Sequence, residues 1–166
     1  MYLIVTRSFP PEVGGMQSLM WGLSRELSKN FMIKVFADHI EGHKNFDEQA
    51  SFSIERVGGI KLLRKYRKAQ LINEHIKENK INGIIADHWK SLELIKTFKK
   101  KYCLIHSKEI NHPKGSSQNK RAVSVLNNVE KVIANSQFTK NLAVTIGVNE
   151  KKLIDNLFET MYSSNG

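Results

Sequence analysis

Cysteine is almost missing from this sequence. The one present, Cys103, cannot close an internal disulfide, which fits a reducing compartment. Clusters of cysteine and histidine with metal-ligand spacing are missing too, so no metal requirement is expected. No apolar run approaches the ~20 residues that cross a bilayer. The amino terminus lacks a basic segment leading into a long apolar one, so no secretory leader is expected. Acids are scarce: 16 Asp and Glu face 26 Lys and Arg, a formal charge of +10. That excess favours anionic partners such as nucleic acid, anionic lipid headgroups or phosphorylated ligands, although a solvated lysine-rich surface fits the same count. Helix-turn-helix, RNP-type and zinc patterns are absent, which argues against nucleic acid. Proline is rare as well, with three in the chain, and two of these are adjacent at Pro10 and Pro11.

What is present is the material of one globular domain. The 166 residues are 40% hydrophobic, enough for a substantial core. Short apolar runs alternate with longer helical patterns. YLIVT (Tyr2 to Thr6) reads as a strand buried on both faces. Met16 to Lys29 carries Leu19, Met20, Leu23 and Leu27 at helical spacing. Met32 to Ala37 reads as a strand, Asp38 to Ser51 as a polar loop, and Phe52 to Val57 as an alternating strand. Leu62 to Lys80 is helical, with Leu63, Tyr66, Leu71, Ile72 and Ile76 near one face. NGIIAD is a buried strand, followed by a helix through Leu92, Leu94, Ile95 and Phe98. Tyr102 to His106 is the next strand. A loop with Pro113 and Gly115 leads to a helix near Ala122 to Val129. KVIANS is one more strand, and Ser136 caps the helix that begins QFTKNLAV. This alternation predicts a Rossmann-like α/β fold: an open parallel sheet of about six strands with helices on both faces.

The segment SFPPEVGG joins the first strand to the first helix. Ligands bind at the carboxyl edge of such sheets. Proline stiffens the loop there, while glycine permits positive φ and lets a ligand approach the backbone. The first free N–H groups of the helix favour an anion at the same place. The turn lacks both the G-x-G-x-x-G spacing and the Gly-Lys-Ser/Thr of a P-loop. A phosphate-accepting turn and a merely tight turn both fit the glycine pair.

FPPEVGGMQSLMWGLSRELSKNFMIKVFA resembles the opening of retaining GT-B glycosyltransferases, the large family 4 group. LIHSKE and VIANSQFTKNLAVTIGVNEKKL resemble two further stretches of that family, in the same order and spacing. The match covers nearly the whole chain, as the N-terminal, acceptor-side half of a two-domain enzyme. The resemblance implies transfer of a sugar from a nucleotide-sugar donor to a glycan or lipid-linked acceptor, with no cofactor or metal. It places Gly14 and Gly15 in the interdomain cleft as substrate-binding residues. It makes His106 the catalytic-site histidine, positioning the sugar rather than acting as a nucleophile. His88 becomes an acceptor-side residue, although Asp87-His88 stands where relatives often read His-Asp, and Ser107 stands where they usually have Gly or Asp. The family carries two glutamates eight positions apart in its C-terminal domain, and no two glutamates here have that separation. The nucleotide-sugar-binding half is therefore expected to be absent, and residues 1–166 alone to be inactive.

GIKLLRKYRKAQLI holds Lys61, Arg64, Lys65, Arg67 and Lys68 without an acid; KTFKKKY adds Lys96, Lys99, Lys100 and Lys101. As a helix, the first stretch fits docking on anionic lipid or a basic face left in water. The location that follows is cytoplasmic, peripheral at the inner face of a membrane. A stand-alone, non-catalytic module gripping a phosphorylated sugar or anionic lipid is the alternative function.

Overall fold

The computed structural model describes residues 1–97 and 100–163. Seven parallel strands form one sheet in the order β3-β2-β1-β4-β5-β6-β7. In chain order the elements are β1 (Tyr2–Val5), α1 (Gly15–Ser28), β2 (Ile33–Asp38), α2 (His43–Glu48), β3 (Ser53–Val57), α3 (Lys61–Glu78), β4 (Gly83–Ala86) and α4 (Trp89–Leu92). They continue with β5 (Lys100–Ile105), α5 (Ser107–Ile110), α6 (Ser117–Asn127), β6 (Lys131–Ala134), α7 (Gln137–Ile146), β7 (Leu153–Ile154) and α8 (Leu157–Ser163). The expected α/β class and parallel sheet are present.

Alternation along β1 divides the core into two layers. Leu3 and Val5 pack with Ile72 of α3, Trp89 of α4, Leu126 of α6 and Ala143 of α7. Tyr2 and Ile4 pack on the other side with Met20 and Leu27 of α1 and Met161 of α8. Both faces of the sheet are thus covered, which is why its central strands read as continuous apolar runs. Each fully buried Leu or Ile contributes about 1.5–3 kcal/mol.

Several features depart from the sequence reading. The stretch expected as loop from residue 38 to 51 contains α2, none of whose residues is fully buried. Phe46 ties it to the domain, with its ring centroid 4.8 Å from that of Trp21 and 6.4 Å from that of Phe9. The helix expected through Leu92, Leu94 and Ile95 stops at Leu92, and the chain turns with Ile95 N–H bonded to Leu92 O at 3.1 Å. Phe98 and Lys99 lie outside the described residues. A seventh strand, β7, has two residues and is too short to show any periodicity.

The fourth departure bears on function. On α3 the buried residues are Lys68, Ala69 and Ile72, whereas Leu63 and Tyr66 are 59% and 54% exposed. Lys68 Nζ donates to Thr6 O at 2.9 Å, just beyond the end of β1. The turns of α3 before Lys68 therefore extend past the sheet edge, where no strand lies beneath them to cover an apolar side chain.

Candidate functional site

The strand order reverses between β1 and β4, the neighbours from which the chain winds outward in both directions. A crevice opens outside the carboxyl ends of strands at such a point. Its floor is a hydrogen-bonded hub between residues 81 positions apart. Thr6 Oγ1 donates to Asp87 Oδ2 at 2.7 Å, and the Arg7 N–H reaches the same oxygen at 3.3 Å. Ser91 Oγ adds a contact to Oδ1 at 3.4 Å. Burial holds the Asp87 carboxyl above the ordinary carboxylate range, against the opposing pull of Thr6 and the Arg7 amide.

The Pro-Pro-Glu-Val-Gly-Gly loop leaves this hub and returns as α1. Buried Phe9 roots it in the aromatic cluster with Trp21 and Phe46. Arg56 of β3 holds it from the side: the guanidinium bonds Pro10 O, pairs with Asp47 at 2.7 Å and lies 5.5 Å from the centroid of the Phe9 ring. Gly14 is extended at φ 172°, and Gly15 is the first helical residue. The positive φ expected of this pair is not used; the glycines with positive φ lie elsewhere in the chain. What glycine supplies here is room. A Cβ on Gly15 would meet nothing within 4 Å, and one on Gly14 would meet only the movable end of Gln17. The start of α1 has neither a side-chain cap nor an acid in its first turn, so its leading N–H groups are free of side-chain partners among the described residues.

His106 follows β5 on the same edge. The Asn135 amide donates to Nδ1 of His106 at 3.0 Å. The orientation of that amide follows from its other end, where Thr139 Oγ1 donates to Asn135 Oδ1 at 2.7 Å and itself accepts from Ser136 Oγ. The imidazole proton is thereby assigned to Nε2, which is buried and has no hydrogen-bond partner among the described residues. Burial pulls the His106 pKa down, so the ring is neutral at pH 7. The site thus contains a neutral N–H donor, fixed in direction and unsatisfied.

His88 follows β4, and both of its ring nitrogens are engaged. Nδ1 accepts the Lys90 N–H at 3.0 Å, and Nε2 lies 3.4 Å from Glu109 Oε2. Burial, then the nearby Arg7 charge, pushes His88 down to about 3. Burial pushes Glu109 up to about 8, against the His106 N–H that bonds Oε1 at 3.2 Å. At pH 7 this contact therefore joins two neutral groups rather than an ion pair. Glu109 also accepts the Trp89 indole N–H through its backbone oxygen at 3.2 Å, tying α4 to α5.

The structure therefore places Gly14, Gly15, His88 and His106 on one edge of the sheet. Sequence reasoning missed Thr6, Arg7, Asp87, Glu109 and Asn135. Two of these had a local signal: Glu109 stands three residues after a strand-ending His106, and Asn135 opens the Asn-Ser-x-x-Thr run. No group of three His, Cys, Asp or Glu side chains is placed to hold a metal among the described residues. No described helix is long and apolar enough to cross a membrane.

Neither a protein-family model nor a curated protein matches the chain. Solved structures do. HepE of Anabaena, in complex with UDP, superposes with a TM-score of 0.70 at 20% identity, over 93% of this chain and 43% of its own. The lipopolysaccharide outer core galactosyltransferase WaaB, in its apo form, gives 0.63 at 11% identity, over 93% and 44%. The UDP-GlcNAc 2-epimerase of Methanocaldococcus jannaschii gives 0.60 at 14% identity, over 93% and 45%. The chain spans less than half the length of each. A galactosyltransferase and an epimerase share the architecture, so the likeness carries the fold and not a reaction. The fold they share with this chain is the Rossmann-like half of the GT-B architecture.

Proposed function

We propose that these residues form the N-terminal, acceptor-side domain of a retaining GT-B glycosyltransferase. The enzyme moves a sugar from a nucleotide-sugar donor to a glycan or lipid-linked acceptor. The observation that carries this reading is the crevice at the β1–β4 reversal. There an uncapped helix start, a glycine with open space before it and an unsatisfied His106 N–H share one edge. The neighbours support it: HepE has been seen with UDP and with UDP-glucose, and WaaB is a galactosyltransferase.

In this reading the Gly14–Gly15 turn faces the donor diphosphate and His106 Nε2–H binds a hydroxyl of the transferred sugar. His88 shapes the acceptor side by holding Glu109 in place. The remaining catalytic groups come from a C-terminal half. A bare helix start gives an exposed anion only about 0.3–1 kcal/mol, far below the ~8 kcal/mol that modest enzymes remove from a barrier. Ile60, Leu62, Leu63 and Tyr66 are exposed on the first turns of α3 beside Lys61, Lys65 and Arg67, which supports peripheral docking at the cytoplasmic face of an anionic membrane. Arg64 and Lys68 do not take part in that contact, because both pair with Asp38.

The test follows nucleotide release from a panel of nucleotide sugars. Turnover is expected only when a C-terminal GT-B half is joined to these residues. Steady turnover by residues 1–166 alone, lost on changing Gly15 to a bulky residue, would overturn the need for that half.

A further inference from the structure

Beside the crevice lies a cavity of about 340 Å³, within the range of small-molecule sites. Six of its lining side chains are cationic: Arg7 after β1, Lys61, Arg64, Lys65 and Lys68 of α3, and Lys90 of α4. Asp38 is the one acid on the lining, and it is already engaged by Lys68 and, at 3.3 Å, by Arg64. Arg7, Lys61, Lys65 and Lys90 form no ion pair among the described residues. Gly14 and Gly15 are not on the lining, so this site is distinct from the donor-facing turn.

We propose that this cavity binds the phosphate or diphosphate group of the acceptor. This rests on the glycosyltransferase reading above and names the acceptor chemistry that reading left open. Mutual repulsion among these cations opposes leaving the cavity empty of anions, and the local helix signals do as well. The 18-residue α3 begins with no side-chain cap and no acid in its first turn, while cations occupy the turn where the helix dipole is already positive. An anion in the cavity reverses the sign of both terms. The donors are also set in advance. Arg64 is braced through Nη1 on Asp38 and Nη2 on Gly59 O at 3.1 Å, leaving its buried Nε without a partner. A single carboxylate would leave most of this charge unmatched, whereas a diphosphate matches several cations at once. The exposed Leu62 and Leu63 adjoin the site, so a soluble diphosphate and a lipid-borne one share the same chemistry.

The experiment titrates the purified chain with inorganic pyrophosphate by calorimetry. Three variants accompany it: Lys65→Ser/Lys90→Ser in the cavity, the charge-matched Lys120→Ser/Lys151→Ser outside it, and Gly15→Asp at the donor turn. Saturable binding is expected, weakened by about tenfold or more in the cavity variant and little changed in the Lys120→Ser/Lys151→Ser variant, while Gly15→Asp reports separately on the donor turn. Equal losses in both lysine variants, or no saturable binding, overturn the proposal. Loss in Gly15→Asp alone overturns it too, while leaving the donor role of the turn intact. A second arm uses phosphatidylcholine vesicles with and without a polyprenyl diphosphate. Binding that needs the diphosphate lipid together with Lys65 and Lys90 assigns a lipid-borne acceptor. Response to pyrophosphate with indifference to the lipid assigns a soluble one.

Discussion

Asn135 and His106 belong to different strand ends, yet one hydrogen bond between them, 3.0 Å long, decides where the imidazole proton resides. The amide nitrogen can only donate, so Nδ1 must accept and Nε2 must carry the hydrogen. The Ser136–Thr139 hydroxyl chain behind Asn135 keeps the amide from turning over. A free histidine would divide its proton between the two nitrogens; this one does not.

Changing Asn135 to Ala removes that constraint. Two-bond proton–nitrogen correlation of the imidazole is expected to show the Nε2–H form in the wild type and a mixture of tautomers in the variant. Stability should fall by about 1 kcal/mol, the net worth of one hydrogen bond. An unchanged tautomer pattern would mean that the relay does not set the proton.

Glu109 and His88 give the fold opposed pH dependences. The Glu109 carboxyl holds its proton to about 8, so the stability it contributes is complete below the ordinary glutamate range and is lost as pH rises through 8. His88, lowered to about 3, contributes stability above its ordinary range that is lost as pH falls towards 3. Thermal unfolding scans should therefore show a midpoint that declines between pH 6.5 and 8.5. Glu109→Gln keeps the shape, has no proton to lose, and is expected to flatten that decline.

Gly15→Ala should separate stability from binding. Alanine at this helical position meets no atom within 4 Å and gains helix propensity, so unfolding should become harder by about 0.5–1 kcal/mol. Affinity for a nucleoside diphosphate, measured on a form carrying the C-terminal half, should fall because the methyl group enters the approach to the α1 N–H groups. A destabilised alanine variant would show that the fold itself requires the glycine.

Arg56→Ala tests what holds the proline loop. The side chain is 4% exposed and links Asp47, Pro10 O and the Phe9 ring. Its loss leaves Asp47 with His43 as its remaining partner among the described residues, 2.8 Å from Oδ2, frees the Pro10 carbonyl, and should destabilise the fold by about 1.5–3 kcal/mol. Amide exchange at residues 12–15 is expected to accelerate more than exchange in β1. Uniform acceleration would mean that Arg56 supports the whole fold rather than the loop.

Most strands and long helices were legible because their periodicity is local. Leu3, Val5, Met20 and Leu27 lie where alternation and helical spacing put them. On α3, Leu71, Ile72 and Ile76 face the core as their spacing implies, whereas Leu63 and Tyr66 on its first turns do not, for a reason the residues make plain. Periodicity assumes a surface beneath the helix, but the turns holding Leu62, Leu63 and Tyr66 pass beyond the sheet. Lys68, meanwhile, goes inside because Asp38 and the Thr6 carbonyl await it. In the site, the glycine pair stands at the start of α1 and His88 and His106 just past strand ends, places that the sequence marks out. Thr6 and Asp87 escaped notice because nothing local to either residue announces the other. Only the adjacency of β1 and β4 joins them.

The greasy start of α3 also governs how copies of the domain behave together. Ile60, Leu62, Leu63 and Tyr66 form a patch that water disfavours, and the lysines beside it keep two such patches apart by repulsion. Added salt weakens the repulsion, since the screening length contracts from about 10 Å at 0.1 M to about 3 Å at 1 M, while the apolar attraction persists. Solubility should accordingly run opposite to that of proteins joined by ion pairs: dilute buffer keeps this domain dispersed, and concentrated salt draws it into clusters.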